Sequence, residues 1–300
     1  MVIVFGSLNL DLIFPVPHIP APGETVLGPE IRVEPGGKGA NQAVAAARDG
    51  APVILAGAVG RDSLAASALV LLREARVDLT RVIETDTSTG CAAIVVDPAG
   101  NNAIAVGSGA NLRARHTQIE DALLTPAATL VLQMEVPAEQ TAALIHRARA
   151  RGVRVILNLA PAAPLPEDAL RALDLLVVNE TEAAWLAAHL GCASTAAALH
   201  TRLAIPLLRT LGGQGLEMAS TAGVETLPAH AIIPVDTTAA GDCFVGVLAA
   251  ALDRGASLTA ALRRASAAAA LCCTRMGSQG SIPLAHETDA FLQAAARTPL

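Results

Sequence analysis

The sequence predicts an α/β fold: a mostly parallel central sheet with helices on both faces, and a small second sheet projecting from it as a lid. Short runs that are apolar on both faces alternate with amphipathic helical stretches along most of the 300 residues, the pattern of a sheet covered on both sides. Gly50, Gly152 and Gly191 each follow a helical stretch, where a left-handed C-terminal residue is wanted. Two segments, Ile13–Val33 and Gly90–Val106, break the rhythm and have no helix to cover them. A single domain over residues 1–300 is expected, with lid strands inserted at about 12–34 and 89–107 and no internal repeat or separating linker.

In chain order, Val2–Gly6 is the first strand and Ala40–Asp49 the first helix. Between them Ile13–Val33 is rich in proline and glycine, with short alternating pieces that suit strands of the lid. Strand Val53–Ala58 precedes helix Ser63–Ala75. Gly90–Val106 reads as a hairpin, with Ala93–Val96 and Ala103–Val106 flanking a turn at Asp97-Pro98-Ala99-Gly100-Asn101-Asn102, residue types that suit turn geometry. Strands Thr129–Gln133, Val153–Asn158, Leu175–Val178 and Pro206–Leu211 then alternate with helices Ala138–Arg151, Glu180–Leu190 and Thr195–Leu203. The C-terminal third turns helical, over Ala240–Asp253, Leu258–Cys273 and Glu287–Ala295.

Composition bounds the function. At 52% hydrophobic and 16% charged the chain can bury a large core and lies far from the disordered regime. No apolar run reaches the roughly 18 residues of a membrane span, so a membrane is not expected as partner. A net charge of −6 argues against nucleic acid, and an anionic ligand needs a locally built site. Aromatic residues, at 2%, leave no stacking platform for single strands. Met1 leads straight into the strand-like Val2-Ile3-Val4-Phe5 without a basic leader, and five scattered cysteines show neither zinc nor disulfide spacing. A reduced, cytoplasmic protein is the expectation.

Lys38 is the sole lysine among 21 basic residues, and it sits within Gly36-Gly37-Lys38-Gly39-Ala40-Asn41. Glycines let backbone approach a ligand, and a compact ammonium suits a phosphate or sugar oxygen in a tight space. A second signal is Val235-Asp236-Thr237-Thr238-Ala239-Ala240-Gly241-Asp242-Cys243-Phe244. A helix starting near Ala240 exposes unpaired N–H groups and the positive end of its dipole, an anion site that small side chains leave open. Asp242 in that turn is either a helix-stabilising acid or a general base beside a phosphoryl group. Leu211-Gly212-Gly213-Gln214-Gly215 follows a strand as nucleotide-binding turns do, without matching a Walker motif; Gly39 stands where a P-loop needs Ser or Thr. Asn179-Glu180-Thr181-Glu182 opens a helix, Asn9 and Asp11 follow the first strand, and Glu135 follows the strand Thr129–Gln133. Carboxyl ends of parallel strands are where ligands sit in open α/β sheets.

In order along the chain these segments resemble the PfkB family of carbohydrate kinases, in its ribokinase-like branch. Gly6-Ser7-Leu8-Asn9-Leu10-Asp11 resembles the family's first strand and sugar contact, and Pro22-Gly23-Glu24-Thr25-Val26 its lid. Gly36–Asn41 with Gln42-Ala43-Val44-Ala45-Ala46-Ala47 is similar to the first family signature, Asn179-x-x-Glu182 to the magnesium and phosphate motif, and Asp236–Asp242 to the second signature. Thr274-Arg275-Met276-Gly277-Ser278-Gln279-Gly280-Ser281 resembles the segment closing a monovalent-cation site. The match runs from Val2 to about Pro283.

The resemblance implies a ribokinase-like fold and ATP-dependent phosphorylation of a free pentose, D-ribose at its 5-hydroxyl, with Asp242 as base. It places the sugar on Asn9, Asp11, Gly37, Lys38, Gly39, Ala40, Asn41, Glu135 and Asp242. It places ATP on Asn179, Thr210, Leu211, Gly212, Gly213, Gln214, Gly215, Ala240, Gly241, Asp242 and Ser266. Mg2+ falls to Glu182 and Asn179 through water. A potassium-like ion falls to the Asp236 carboxylate, the carbonyls of Thr238, Cys272, Arg275 and Gly277, and the Ser281 hydroxyl, with the Cys272 thiol idle. A homodimer through the lid sheet is implied. The chain departs from the pattern at Gly280, often proline in relatives, and at Ser266, a histidine in some. A relative acting on deoxyribose, another sugar or a nucleoside is the alternative; a non-catalytic sugar sensor would have lost Lys38, Glu182, Gly241 or Asp242, and all are present.

Overall fold

The computed structural model describes residues 1–297. Its strands are β1 (Val2–Phe5), β2 (Asn9–Pro15), β3 (Arg32–Gly36), β4 (Val53–Gly60), β5 (Asp78–Thr85), β6 (Gly90–Val96), β7 (Asn102–Gly107), β8 (Thr129–Leu132), β9 (Arg154–Asn158), β10 (Leu175–Val178), β11 (Leu207–Thr210), β12 (Leu216–Ser220) and β13 (Gly223–Leu227). The helices are α1 (Lys38–Arg48), α2 (Ser63–Ala68), α3 (Val70–Glu74), α4 (Ala138–Arg149), α5 (Glu167–Arg171), α6 (Glu180–Leu190), α7 (Ala196–Leu203), α8 (Ala240–Asp253), α9 (Leu258–Cys273) and α10 (Ala285–Arg297). Nine strands form the main sheet in the order β13-β12-β11-β10-β9-β8-β1-β4-β5. The pairs from β11 through β5 are parallel, and the β11–β12 and β12–β13 pairs at one edge are antiparallel.

Strand periodicity sorts the core into two layers. In β1, Val2 and Val4 face a cluster containing Val44 of α1, Leu248 of α8 and Leu262 of α9. Ile3 and Phe5 face the other side, with Ile145 of α4, Leu186 of α6 and Leu199 of α7. All four are fully buried, which explains why the run reads as apolar on both faces. Each such side chain contributes about 1.5–3 kcal/mol by leaving water. The layers hold the carboxyl ends of β1, β8, β9 and β10 side by side.

The small sheet has the order β3-β2-β6-β7. β2 pairs with β6 in parallel while the outer pairs are antiparallel. The hairpin expected at Gly90–Val106 is β6–β7, its turn closed by Asp97, whose Oδ1 accepts from the N–H groups of Ala99 and Asn101. The first lid segment is displaced: β2 and β3 flank residues 16–31, which form no strand. Pro17, Pro20, Pro22 and Pro29 fall there, and each lacks the N–H a ladder needs. Consequently Asn9 and Asp11 lie inside β2 rather than at the end of β1. Helix Ser63–Ala75 is split at Leu69 into α2 and α3. β5, β12, β13 and the short α5 are found where the sequence reading placed none. β5 and β13 are edge strands with mostly half-exposed or exposed residues, so neither carries the apolar run used to detect strands.

Candidate active site

Helix α1 starts at Lys38, two residues earlier than its apolar face indicates, because the chain arrives from β3 through Gly36 and Gly37. Its first turn lies directly on the end of β1. A Cβ on Gly39 would stand 2.6 Å from the Gly6 carbonyl carbon and the Ser7 nitrogen, so glycine is required there. Glu135, just beyond β8, locks this approach: its Oε2 accepts from Ser7 Oγ at 2.5 Å and from the Lys38 N–H at 3.0 Å. A carboxylate at a helix N-terminus meets the positive end of the dipole.

Asp242 lies in the first turn of α8 and is buried. Its Oδ2 accepts from Asn41 Nδ2 at 2.9 Å and its Oδ1 from Gln42 Nε2 at 2.9 Å. The Asn41 Oδ1 is buried without a partner, an acceptor left for a ligand hydroxyl. Ala239, the N-cap residue just before α8, has a φ of 59°, left-handed for a residue with a Cβ, and no side chain caps that end. A strained, uncapped helix start leaves its leading N–H groups available to an anion. The ammonium of Lys38 is held above its usual range chiefly by Asp242, with Glu135, Glu182 and Asp11 adding to the effect against burial.

A cleft of about 250 Å³ joins these parts. Lys38, Asn179, Glu182, Thr210, Gly241 and Asp242 line it, with Asn158, Ala160, Val177 and Val178 from the ends of β9 and β10. Glu182 and Asn179 form a reciprocal cap, the Asn179 N–H and Nδ2 donating to the carboxylate at 2.8 and 3.0 Å and the Glu182 N–H to Asn179 Oδ1 at 2.8 Å. Burial pushes the Glu182 carboxyl up. Its oxygens being engaged, these residues fit a magnesium held through water rather than by direct ligation.

The sugar side is built on the small sheet. Asn9 Oδ1 accepts from Asn111 Nδ2 at 2.7 Å, and Asn111 Oδ1 accepts from the Leu8 N–H at 2.9 Å. Asn111 follows β7 in a short 3-10 turn, a position with no sequence signal. Asp11 pairs across the strands with Glu34. Burial first, then Glu135, Glu34 and Asp242, raise the Asp11 carboxyl to about 7, with Lys38 opposing. Glu34 was not singled out by sequence either; its Oε2 accepts from the Ser278 N–H at 2.9 Å and ties β3 to the cation segment.

That segment brings together Asp236, Thr238, Gly277 and Ser281. Asp236 accepts from the N–H groups of Thr238 at 2.9 Å and Gly277 at 3.0 Å. Burial opposes its charge, yet these bonds prevail and the carboxyl lies below its usual range. The oxygen donors present suit a hard monovalent cation. The Cys272 thiol is not idle: its Sγ lies 3.0 Å from Ser281 Oγ and 3.9 Å from the Thr238 carbonyl. It faces two of the groups expected to hold the ion, because α9 ends with this side chain turned inward. The Leu211–Gly215 turn continues from Thr210 as a mostly exposed rim, and Ser266, half-buried on α9, does not line the cleft. Among the described residues no cluster of three or more His, Cys, Asp or Glu could cage a metal.

Comparison with known proteins agrees with this arrangement. The profile of the pfkB family carbohydrate kinases matches residues 1–285. The chain is 36% identical over 293 residues to the ribokinase of Bacillus subtilis, covering 96% of this chain and 98% of that one. It is 32% identical over 300 residues to a deoxyribokinase of Salmonella typhi, covering 96% and 97%. The ribokinase of Thermotoga maritima superposes with a TM-score of 0.88 at 33% identity, covering 97% and 99%. That of Arabidopsis thaliana, solved with ribose and ATP, gives 0.87 at 29% identity, covering 97% and 98%.

Proposed function

Because the chain belongs to the pfkB family of carbohydrate kinases, we propose that it transfers the γ-phosphoryl group of ATP to O5 of D-ribose, giving ribose 5-phosphate and ADP. One observation carries the reading: the buried Asp242 carboxylate lies at the uncapped start of α8, in a cleft shared with Lys38, Asn179 and Glu182. Phosphoryl transfer needs positioning and charge stabilisation more than covalent chemistry. Asp242 takes the proton of the primary hydroxyl. The N–H groups opening α8 and the Lys38 ammonium receive charge on the transferring group. Asn9, Asp11 and the free Asn41 Oδ1 orient the sugar, and the small sheet closes over it as a lid to exclude water.

Magnesium, bound with the nucleotide, supplies charge neutralisation at the phosphates, with Glu182 and Asn179 ordering its water. A potassium-like ion on Asp236, Thr238, Cys272, Arg275, Gly277 and Ser281 rigidifies the turn leading into α8. The exposed Ile104 and Val106, which share one face of the edge strand β7, supply an apolar surface for a second copy, and the compartment is the cytoplasm. Deoxyribose is the runner-up, favoured by the deoxyribokinase relative. Asp11 argues for ribose, since a carboxylate in reach of the sugar gains most from vicinal hydroxyls. A panel of sugars and nucleosides in a coupled ADP assay, with and without K+, tests this. Ribose is expected to give the highest kcat/KM and to depend on K+; deoxyribose or adenosine ahead of ribose would overturn the choice.

Asp11 also makes sugar binding pH-dependent. A carboxyl raised to about 7 is protonated at the bottom of the neutral range, and ionised Asp11 is the better acceptor for sugar hydroxyls. The KM for ribose is therefore expected to fall about tenfold between about pH 6 and 8 at saturating ATP. In the free protein the sign is opposite. The folded state holds this proton more tightly than the unfolded chain, so the stability Asp11 contributes is lost as pH rises through about 7. A flat KM profile in Asp11→Asn beside the sloping native one would identify the group; equal slopes would exclude it.

A further inference from the structure

Gln42 takes no part in the chemistry described so far, yet it is fully buried and bonded to the base. We propose that Gln42 is a positioning residue, whose side-chain amide aims the Asp242 carboxylate at the acceptor hydroxyl. Its Nε2 lies 2.9 Å from Asp242 Oδ1 and 3.1 Å from Asn158 Oδ1, so each amide proton has an acceptor. Its Oε1 accepts from Gln133 Nε2 at 2.6 Å, and Gln133 is fully buried as well. The Asp242 carboxylate fixes which end of the Gln42 amide faces it, because turning the amide would set Gln42 Oε1 against a carboxylate oxygen that can only accept. The backbone is equally constrained. A Cβ on Gly246 would stand 2.4 Å from the Gln42 carbonyl oxygen, so α1 and α8 touch one turn beyond Asp242.

With Gln42 on Oδ1 and Asn41 on Oδ2, the carboxylate is held from both sides and cannot swing, while each oxygen keeps a lone pair for the incoming proton. Misplacement of a reacting group by about an ångström can cost about a hundredfold in rate. The line from Gln133 through Gln42 thus connects the end of β8 to the base on α8, and its branch to Asn158 reaches the cleft wall. This inference rests on Asp242 being the base.

The test compares Gln42→Glu, Gln42→Met and Asp242→Asn in steady-state kinetics with ribose and ATP across about pH 6–8. Glutamate preserves shape but sets a carboxylate against Asp242. Its kcat is expected to drop about a hundredfold at about pH 8, with both KM values within about threefold. The deficit shrinks toward about pH 6, where a proton on the introduced carboxyl restores a donor. Gln42→Met, with no donor at any pH, is expected to lose about tenfold in kcat without that recovery. A Gln42→Glu kcat within about twofold of native at about pH 8, or a deficit that is pH-independent and accompanied by a lowered Tm, overturns the proposal. Should the glutamate variant not fold, Gln42→Met decides alone by the same kcat threshold. Gln42 variants at native rate beside an inactive Asp242→Asn would remove only the positioning role; an active Asp242→Asn would remove the base itself.

Discussion

Asp242→Asn is expected to lower kcat by about a thousandfold while ribose and ATP binding stay within a few-fold of native. The substitution is close to isosteric and the surrounding bonds can survive it. Gln42 Nε2, held by Gln133, donates to Oδ1 of the new amide as it does to the carboxylate. Asn41 now donates to Oδ2 and would oppose the new NH2 group, but its own Oδ1 is without a partner. Turning the Asn41 amide restores a donor–acceptor pair. What is lost is the proton acceptor, so chemistry fails while the fold persists. Calorimetry for binding and single-turnover phosphoryl transfer for rate separate the two. Near-native single-turnover rates would show that the carboxylate is not the base.

Lys38→Met comes second, with kcat/KM for ribose expected to fall about a hundredfold to a thousandfold. Lys38 is the first residue of α1, its N–H fixed on Glu135, so its ammonium has one origin from which to reach the cleft. Asp242, Glu135, Glu182 and Asp11 all raise its affinity for a proton, which means that its charge offsets theirs. Without it the raised Asp11 and Glu182 carboxyls, which Lys38 holds down, are driven further up, and a raised carboxyl loses stability as pH increases. The Tm deficit of Lys38→Met should therefore widen from about pH 6 to 8. Lys38→Arg retains charge but replaces a compact group by a planar fork, and is expected to recover stability more than activity. An arginine variant at native kcat/KM would show that only charge matters here.

The order in which sequence yields to structure follows burial. β1, β10, α6, α8 and α9 were legible to within a residue, since each carries an uninterrupted apolar run or a clear cap such as Asn179. β5 and β13 were not, because an edge strand need bury little and so leaves little pattern. The first lid segment misled by one step: its prolines mark a loop, and the strands lie on either side of it. Within the site, Lys38 and Asp242 stood out by isolation and helix position. Gln42, Gln133, Asn111 and Glu34 did not, since their partners lie far away in the chain and no local spacing announces them. Cys272 shows the limit of transferring a motif, for its thiol takes up hydrogen-bonding positions that a backbone-only reading leaves out.

The most direct test of the whole account is a crystal structure of Asp242→Asn with ATP, magnesium and ribose. Ribose O5 is expected within hydrogen-bonding distance, about 3 Å, of the side chain at position 242, with the γ-phosphate against the first amides of α8 and in reach of Lys38. A γ-phosphate seated elsewhere, or O5 turned away from position 242, would contradict it.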